Sequence, residues 1–413
     1  MKLKSNISIL SSFVITLTLF IFTANFCSAQ QGAEDIVIGK IKRIQSKVLN
    51  EERAFFVYVP PGYDQSQEKM PVLYVLDGEG NFFFSTAIAN FLSRTQTMPR
   101  MIVVGIPNTD RMRDFTPSQV AETPGSGGAD NFLKFLQDEL FPYVEQNYRI
   151  QPFKILCGHS LCGMFALYTF VTKPELFNAY IAISPYLMWD NELVIKQAES
   201  KLDKRLTMDK FLYITLGDEP TYTNSLKKFT SLLKSRESKK IDTNLSGDKN
   251  LPALPPPRFI SPLEWKFIEM KTESHGSIPF KSVYNGLEFI YSGWRLADEV
   301  ASKGIEKIQN HYSNLSRKFG YQIDVPEAFI NRLGYLLMGQ GEVARAIEMF
   351  EYNVKSFPNS ANVYDSMGEG YETNNQFKLA LENYKKAAEL GEKNSDPNLL
   401  IYMNHIDRVM KKM

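Results

Sequence analysis

Short apolar runs that alternate with longer amphipathic stretches constrain the fold of this 413-residue chain more than any other feature. The runs are nearly continuous and rich in β-branched and aromatic residues: 72–76, 101–106, 153–157, 180–183 and 211–216. Strands of that kind are buried on both faces, as in a mostly parallel sheet with helices on its two sides. The alternation therefore predicts an α/β fold over about residues 35–300.

The segments around these runs complete the predicted sheet. Residues 36–49 and 53–59 alternate like the two strands of a hairpin, which ends at Pro60-Pro61-Gly62. Helical spacing occurs at 131–148 and 164–172, and residues 265–270 predict a last strand. A segment with three consecutive prolines, 239–262, predicts an irregular surface excursion before that strand.

The last part of the chain predicts helices throughout, and its sequence repeats at an offset of 34 residues. Matched pairs at that offset are Gly334 and Gly368, Leu337 and Tyr371, Ala346 and Ala380, and Phe350 and Tyr384. Small residues where two helices touch, with aromatic residues between them, are typical of tetratricopeptide (TPR) repeats. We predict two units over 327–391 and a closing helix to residue 409, an unrelated helical hairpin pair being the weaker alternative. Because about three repeats are needed for a solenoid, we expect these two to dock on the α/β part, to self-associate or to bind a protein partner.

The first residues have the pattern of a secretory signal. Lys2 and Lys4 precede an uncharged, mostly apolar run over 7–26, which is followed by Cys27-Ser28-Ala29. This pattern predicts cleavage after Ala29. A membrane anchor is the weaker alternative, since the apolar run is marginal for spanning a bilayer. The predicted organisation is a signal at 1–29, an α/β domain at 30–300, a connecting segment at 301–326 and a TPR-like domain at 327–413. We expect an exported protein, periplasmic or extracellular, with no membrane contact after cleavage.

The composition excludes several classes of chemistry. Basic and acidic residues number 47 and 46, so no net field favours nucleic acid. Three cysteines and four histidines argue against a disulfide scaffold and a zinc site, and we predict neither a metal nor a cofactor. We expect Cys157 and Cys162 to be free, buried thiols. One ends a predicted strand and the other begins a helix, which separates their Cα atoms by more than the ~4.4–6.8 Å of a disulfide.

One serine lies at a predicted strand-to-helix turn, in the string Cys157-Gly158-His159-Ser160-Leu161-Cys162-Gly163. Such a turn exposes the hydroxyl at the carboxyl edge of the sheet, where a base can take its proton. We interpret Ser160 as a nucleophile, the alternative being a structural turn. Cys162 replaces the glycine usual at its position, and we expect it to crowd the turn.

A carboxylate and a histidine follow this serine in the order expected of a Ser-acid-His triad. The acid is Glu219, slightly favoured, or Asp218, both in the loop after the strand at 211–216, where a plain turn is the alternative. His275 follows the last predicted strand and is the only well-placed base. We expect His311 and His405, in the helical part, to be surface or packing residues.

Several short motifs resemble the esterase-D and enterochelin-esterase group of α/β hydrolases, which also takes in feruloyl esterases and mycolyltransferases. They are Gly158-His159-Ser160, Val75-Leu76-Asp77-Gly78 and Ser274-His275-Gly276-Ser277, together with an N-terminal strand at 57–63 and a loop at 108–114. The resemblance covers nearly all of residues 50–292, and the helical tail is similar to that of some exported bacterial members. It implies an α/β-hydrolase fold.

The resemblance also implies a role for each site residue. Ser160 would attack an ester carbonyl, His275 would act as general base and then acid, and Glu219 or Asp218 would hold His275. The backbone N–H groups of Leu161 and Glu79 would form the oxyanion hole. Candidates for substrate binding are Arg111, Arg113, Asp114 and His159. The first three fit a structural ion-pair cluster equally well.

The function that follows is that of an exported serine esterase, which hydrolyses carboxylic esters through an acyl-enzyme. Siderophore lactones and feruloyl or acetyl esters of polysaccharides are both open as substrates. Two alternatives also stay open. One is an acyltransferase with the same triad, and the other is a protein that binds partners through its TPR-like repeats and carries a vestigial hydrolase domain.

Overall fold

The computed structural model describes residues 36–202, 210–236 and 263–413. The predicted signal at 1–29 and the predicted excursion at 239–262 lie outside these residues. From Gly39 onward the described residues form one compact unit. None of the described helices is both long enough and apolar enough to cross a membrane.

The described α/β part is built on an eight-stranded, mostly parallel sheet with the order β1-β2-β4-β3-β5-β6-β7-β8. Its strands are β1 (Lys40–Ser46), β2 (Glu51–Tyr58), β3 (Met70–Leu76), β4 (Ile102–Ile106), β5 (Ile150–His159), β6 (Ala179–Ile183), β7 (Phe211–Leu216) and β8 (Glu264–Glu269). The predicted hairpin is the antiparallel pair of β1 and β2, and β2 is also antiparallel to β4. Every other pair is parallel.

Helices cover both faces of this sheet, which explains the continuous apolar runs. They are α1 (Gly78–Arg94), α2 (Arg111–Phe115), α3 (Ala129–Phe135), α4 (Phe141–Asn147), α5 (Leu161–Thr172), α6 (Trp189–Lys201), α7 (Pro220–Arg236) and α8 (Ile278–Ile290), with a π turn at Leu136–Leu140 between α3 and α4. In β3, alternate side chains enter two different cores. Tyr74 packs in one and Val75 in the other, and both are almost fully buried. A strand with a core on each side has no polar face.

The chain from residue 298 onward is helical. Its helices are α9 (Asp298–Ala301), α10 (Ile305–Phe319), α11 (Glu327–Gly339), α12 (Val343–Ser356), α13 (Ala361–Thr373), α14 (Phe377–Asn394) and α15 (Leu399–Met410). The repeat positions make equivalent contacts in the two helix pairs. A Cβ atom on Gly334 would lie 2.4 Å from the Phe350 ring, and one on Gly368 would lie 2.5 Å from the Tyr384 ring. Only glycine therefore lets these helices approach so closely.

The sheet with its two helical layers and the all-helical C-terminal region confirm the predicted fold class. The assignment of the helical region to the TPR class stays a prediction, as do the domain limits at residues 29, 300 and 326. The structure places α9 across the limit predicted at residue 300.

Candidate active site

The sharp turn between β5 and α5 carries Ser160. Its backbone dihedral angles are φ 61° and ψ −116°, a conformation that costs energy for any residue with a side chain. Two backbone hydrogen bonds hold it there. The Ser160 N–H donates to the Ile183 carbonyl over 2.8 Å, and the Tyr186 N–H donates to the Ser160 carbonyl over 3.1 Å. These hydrogen bonds stabilise the strained conformation, which is typical of a nucleophile elbow.

Cys162 fits in this turn because the neighbouring positions are glycine. A Cβ atom on Gly158 would lie 2.3 Å from the Cys162 carbonyl oxygen, and one on Gly163 would lie 2.7 Å from the Ile183 carbonyl oxygen. The crowding expected of Cys162 is thus relieved by the absence of a side chain at position 158. Cys157 and Cys162 are both free and buried, as predicted. Burial raises the pKa of the Cys157 thiol to about 12 and that of the Cys162 thiol well above its usual value, so neither is a thiolate near neutral pH.

His275 is held by Glu219. The His275 Nδ1 atom is hydrogen-bonded to Glu219 Oε1, and the Glu219 side chain is only 9% exposed. Donation from Nδ1 leaves Nε2 as the acceptor of a proton. Asp218, in contrast, is exposed, and its backbone N–H donates to the Glu273 carbonyl over 2.8 Å. The structure thus brings Glu219, and not Asp218, to His275.

The second carboxylate oxygen of Glu219 is held by a residue that the sequence did not suggest. Glu219 Oε2 accepts hydrogen bonds from the Ser184 hydroxyl and, over 3.0 Å, from the Gly217 N–H. Ser184 is fully buried and directly follows β6, the strand between those that precede Ser160 and Glu219. That position at a strand end is the one signal that could have drawn attention to it.

Two aromatic rings lie against His275. The His159 ring lies 4.3 Å from the His275 ring, and the Tyr222 ring meets His275 edge-on at 5.6 Å. The Tyr222 hydroxyl interacts with that of Ser160. The described contacts include no direct hydrogen bond between Ser160 and His275, and such bonds often become short only when substrate binds. Tyr222 is a second site residue that the sequence did not suggest.

His159 is a neutral neighbour of the base. Burial, followed by the proximity of His275, lowers the pKa of His159 to about 4. Its Nε2 atom is buried and has no hydrogen-bond partner among the described residues. His159 therefore packs on His275 as an uncharged ring at neutral pH.

Both predicted oxyanion-hole donors lie in the first turn of a helix at the same edge of the sheet. Leu161 begins α5 after β5, and Glu79 is the second residue of α1 after β3, the parallel neighbour of β5. The first N–H groups of a helix have no partner within the helix and favour negative charge. The Glu79 side chain turns aside to Asn108, whose Nδ2 atom donates to it over 2.8 Å. The backbone of this loop is therefore the part available to a substrate oxygen.

Of the two arginines that are candidates for substrate binding, Arg111 is the one that the described contacts connect to the nucleophile turn. Its guanidinium donates two hydrogen bonds to Asp77, of 2.7 and 2.8 Å, and also interacts with the Cys162 thiol. Asp77 begins the loop Asp77-Gly78-Glu79, the predicted oxyanion loop, and has a left-handed conformation with φ 51°. The paired geometry fixes the Arg111 side chain beside that loop.

Arg113 and Asp114 belong to a different network. Asp114 is almost fully buried and accepts hydrogen bonds of 2.7 Å from both Arg53 and Arg113. Glu51 joins the same two arginines. A buried carboxylate needs such partners to remain charged. None of the described contacts of Arg113 or Asp114 involves Ser160 or His275. The contacts therefore support the structural ion-pair interpretation for these two residues.

The other two histidines lie in structural hydrogen bonds. His311 Nε2 is 3.0 Å from the Trp294 carbonyl oxygen, and His405 Nδ1 is 2.8 Å from Asp365 Oδ1. Asp365 and His405, with Glu369, place ligand-type atoms within 4.8 Å of one another. The adjoining Arg408 lies 3.9 Å from Glu369, and its shorter ion pair, of 2.7 Å, is with Glu372.

Comparison of the sequence and the fold with known proteins also points to an ester hydrolase. The family model described as "putative esterase" matches residues 46–243. The match supports an esterase of the α/β-hydrolase type for these residues. It includes Ser160 and Glu219, whereas His275 lies beyond the matched residues.

Several curated relatives of this chain are named as siderophore esterases. The chain is 31% identical over 172 residues to the ferri-bacillibactin esterase BesA of Bacillus subtilis (strain 168), which is 36% of this chain and 60% of that protein. It is 33% identical over 160 residues to the siderophore enterobactin esterase of Emericella nidulans, or 33% of this chain and 52% of that protein. The matches thus span between about half and three fifths of these relatives' own length.

Two solved structures resemble this chain over more of its length. An IroE-like serine hydrolase from Shewanella oneidensis has 25% identity and a TM-score of 0.64, with 77% of this chain and 99% of that chain covered. An uncharacterised protein from Capnocytophaga ochracea DSM 7271 has 17% identity and a TM-score of 0.60. That match covers 90% of this chain and 99% of the other, and it supports the fold alone.

Proposed function

We propose that this protein hydrolyses carboxylic esters through a covalent acyl-enzyme on Ser160. The observation that carries the proposal is the buried Glu219 hydrogen-bonded to His275 at the sheet edge where the strained Ser160 turn also lies. The names of the curated relatives support the same reaction class.

We assign a residue to each step of the reaction. Ser160 Oγ attacks the ester carbonyl carbon while His275 Nε2 takes the hydroxyl proton, and the imidazolium formed is stabilised by Glu219. The N–H groups of Leu161 and Glu79 stabilise the negative oxygen, where loss of one such donor typically costs ~10²–10³ in rate. His275 then returns the proton to the leaving alcohol. A water molecule, deprotonated by His275, releases the acid and restores Ser160.

The substrate class that we propose is the ester of a siderophore, supported by relatives that are named as siderophore esterases. A panel tests it: a cyclic trilactone siderophore, methyl ferulate and acetylated xylan, each compared by kcat/KM. We expect the siderophore ester to exceed the other two by at least ~10-fold. A preference for methyl ferulate or acetylated xylan would contradict the siderophore proposal and leave the esterase proposal intact.

Three variants assayed with a short p-nitrophenyl ester test the triad. Ser160→Ala should lower kcat at least ~10³-fold, and Glu219→Gln should lower it ~10³–10⁴-fold because the imidazolium loses its counter-charge. Asp218→Asn is the matched control, since it removes the adjacent, exposed carboxylate. Unchanged turnover in Ser160→Ala would overturn the proposal, and equal losses in the two acid variants would overturn the assignment of Glu219.

We also propose export, on the pattern of Lys2, the apolar run over 7–26 and Ala29. N-terminal sequencing of the protein from the periplasm or medium should find Gln30 as the first residue. Full-length protein confined to the cytoplasm would contradict this.

A further inference from the structure

Tyr222 lies against the base of the proposed triad and is bonded to the backbone of the residue that carries its acid. Its backbone N–H, in the first turn of α7, donates to the Glu219 carbonyl over 3.0 Å. Its ring meets the His275 ring edge-on, with centroids 5.6 Å apart and planes at 80°. The His275 side chain is 41% exposed, so this ring is one of the few surfaces that limit its movement.

A second tyrosine ties Tyr222 to the nucleophile turn. The rings of Tyr186 and Tyr222 are 5.6 Å apart at 61°, and the Tyr186 N–H donates to the Ser160 carbonyl over 3.1 Å. The Tyr222 ring is thus in contact with His275 and with Tyr186, which is itself bonded to the turn. Both contacts restrict its orientation.

The Tyr222 hydroxyl approaches Ser160 from the side of the base. Tyr222 follows β7, which lies beyond β6 on one side of β5, whereas the predicted oxyanion loop follows β3 on the other side. Burial raises the pKa of Tyr222, and the interaction with the Ser160 hydroxyl lowers it by less, so the phenol is protonated. Tyr222 therefore lies on the side of β5 that carries Glu219 and His275, opposite the side that carries Glu79.

We propose that Tyr222 is a positioning residue, whose hydroxyl and ring hold Ser160 Oγ and the His275 imidazole in line for proton transfer. The inference rests on the proposed serine mechanism. Proton transfer needs the two heavy atoms within ~2.6–3.2 Å of each other. Both side chains can rotate out of line. Ser160 turns about its Cα–Cβ bond, and the His275 imidazole can pivot on its hydrogen bond to Glu219. Tyr222 is in contact with both.

Tyr222→Phe tests the hydroxyl, because it keeps both ring contacts. With a p-nitrophenyl ester we expect kcat to fall about tenfold with KM within about twofold, as for loss of one hydrogen bond that matters in the transition state. Tyr222→Ala, which also removes the ring, should lower kcat ~10²-fold. Tyr284→Phe is the matched control, since that phenol lies on α8 and interacts with Glu288. Its kcat should equal that of the wild type.

A second measurement separates this inference from the proposed function. The rate constant for labelling of Ser160 by diisopropyl fluorophosphate reports its nucleophilicity without any ester substrate, and it should fall by the same factor in Tyr222→Phe. Wild type that is neither labelled nor active would overturn the serine mechanism and this inference with it. Equal kcat and equal labelling in wild type and Tyr222→Phe would overturn the role of Tyr222 alone. A change confined to KM would show a substrate contact and would likewise overturn the positioning role.

Discussion

At the scale of single residues, His159 links the active site to the pH dependence of stability. Its pKa is about 4 in the folded protein against 6.5 for a free histidine, so the unfolded chain binds more protons between these values. The contribution of the neutral His159 to the free energy of unfolding is therefore fully present above pH ~6.5 and is lost as the pH falls towards 4. The shift is worth on the order of 3 kcal/mol. In His159→Asn the drop in unfolding free energy between pH 7 and 4.5, measured with urea, should be smaller by ~2–3 kcal/mol. Equal drops in both proteins would show that His159 is not the group responsible.

The directions of individual side chains in the candidate site could not be predicted from the sequence. Neighbouring side chains point in different directions, and the pattern Asp218-Glu219 does not say which one meets His275. That choice depends on the Ser184 hydroxyl and the Gly217 N–H, which hold Glu219 Oε2 and come from two different strand ends. Tyr222 was not predicted for a similar reason, because its contacts depend on where α7 begins. The order of serine, acid and histidine, by contrast, was visible in the sequence, because strand ends in a parallel sheet share one edge.

At the scale of elements, the passage from β5 to α5 depends on Gly158. Continuous apolar runs were sufficient to predict the five strands β3 to β7, but the close contact between this glycine and Cys162 depends on how tightly the helix packs on the strand. In Gly158→Ala a Cβ atom 2.3 Å from a backbone carbonyl oxygen forces the turn to move. We expect a loss of ~3 kcal/mol in unfolding free energy and of at least ~10-fold in kcat. Gly339→Ala, where a Cβ atom meets nothing within 4 Å, is the control and should lose neither. Wild-type stability in Gly158→Ala would contradict the proposed packing.

At the scale of the whole molecule, the helical region is packed against the sheet through the end of α10. The Phe319 ring is 3% exposed and lies 5.3 Å from Phe153 and 6.0 Å from Phe211, which stand near the amino ends of β5 and β7. The proposed catalytic groups lie at the opposite, carboxyl edge of the same strands. Loss of the Phe319 contact should therefore reduce stability and leave the chemistry unchanged.

Phe319→Ala tests, in the intact chain, whether loss of this contact reduces stability without changing kcat. We expect the unfolding free energy to fall by ~3–5 kcal/mol, as for removal of a buried aromatic ring, and kcat to stay within about twofold at a temperature where the variant is folded. Phe91→Ala removes a ring that is 55% exposed on α1 and should change stability by less than ~0.5 kcal/mol. Deletion of residues 301–413 should then act in the same direction as Phe319→Ala, through stability. If Phe319→Ala instead lowered kcat at unchanged stability, the helical region would have to reach the substrate, and a role confined to packing would be wrong.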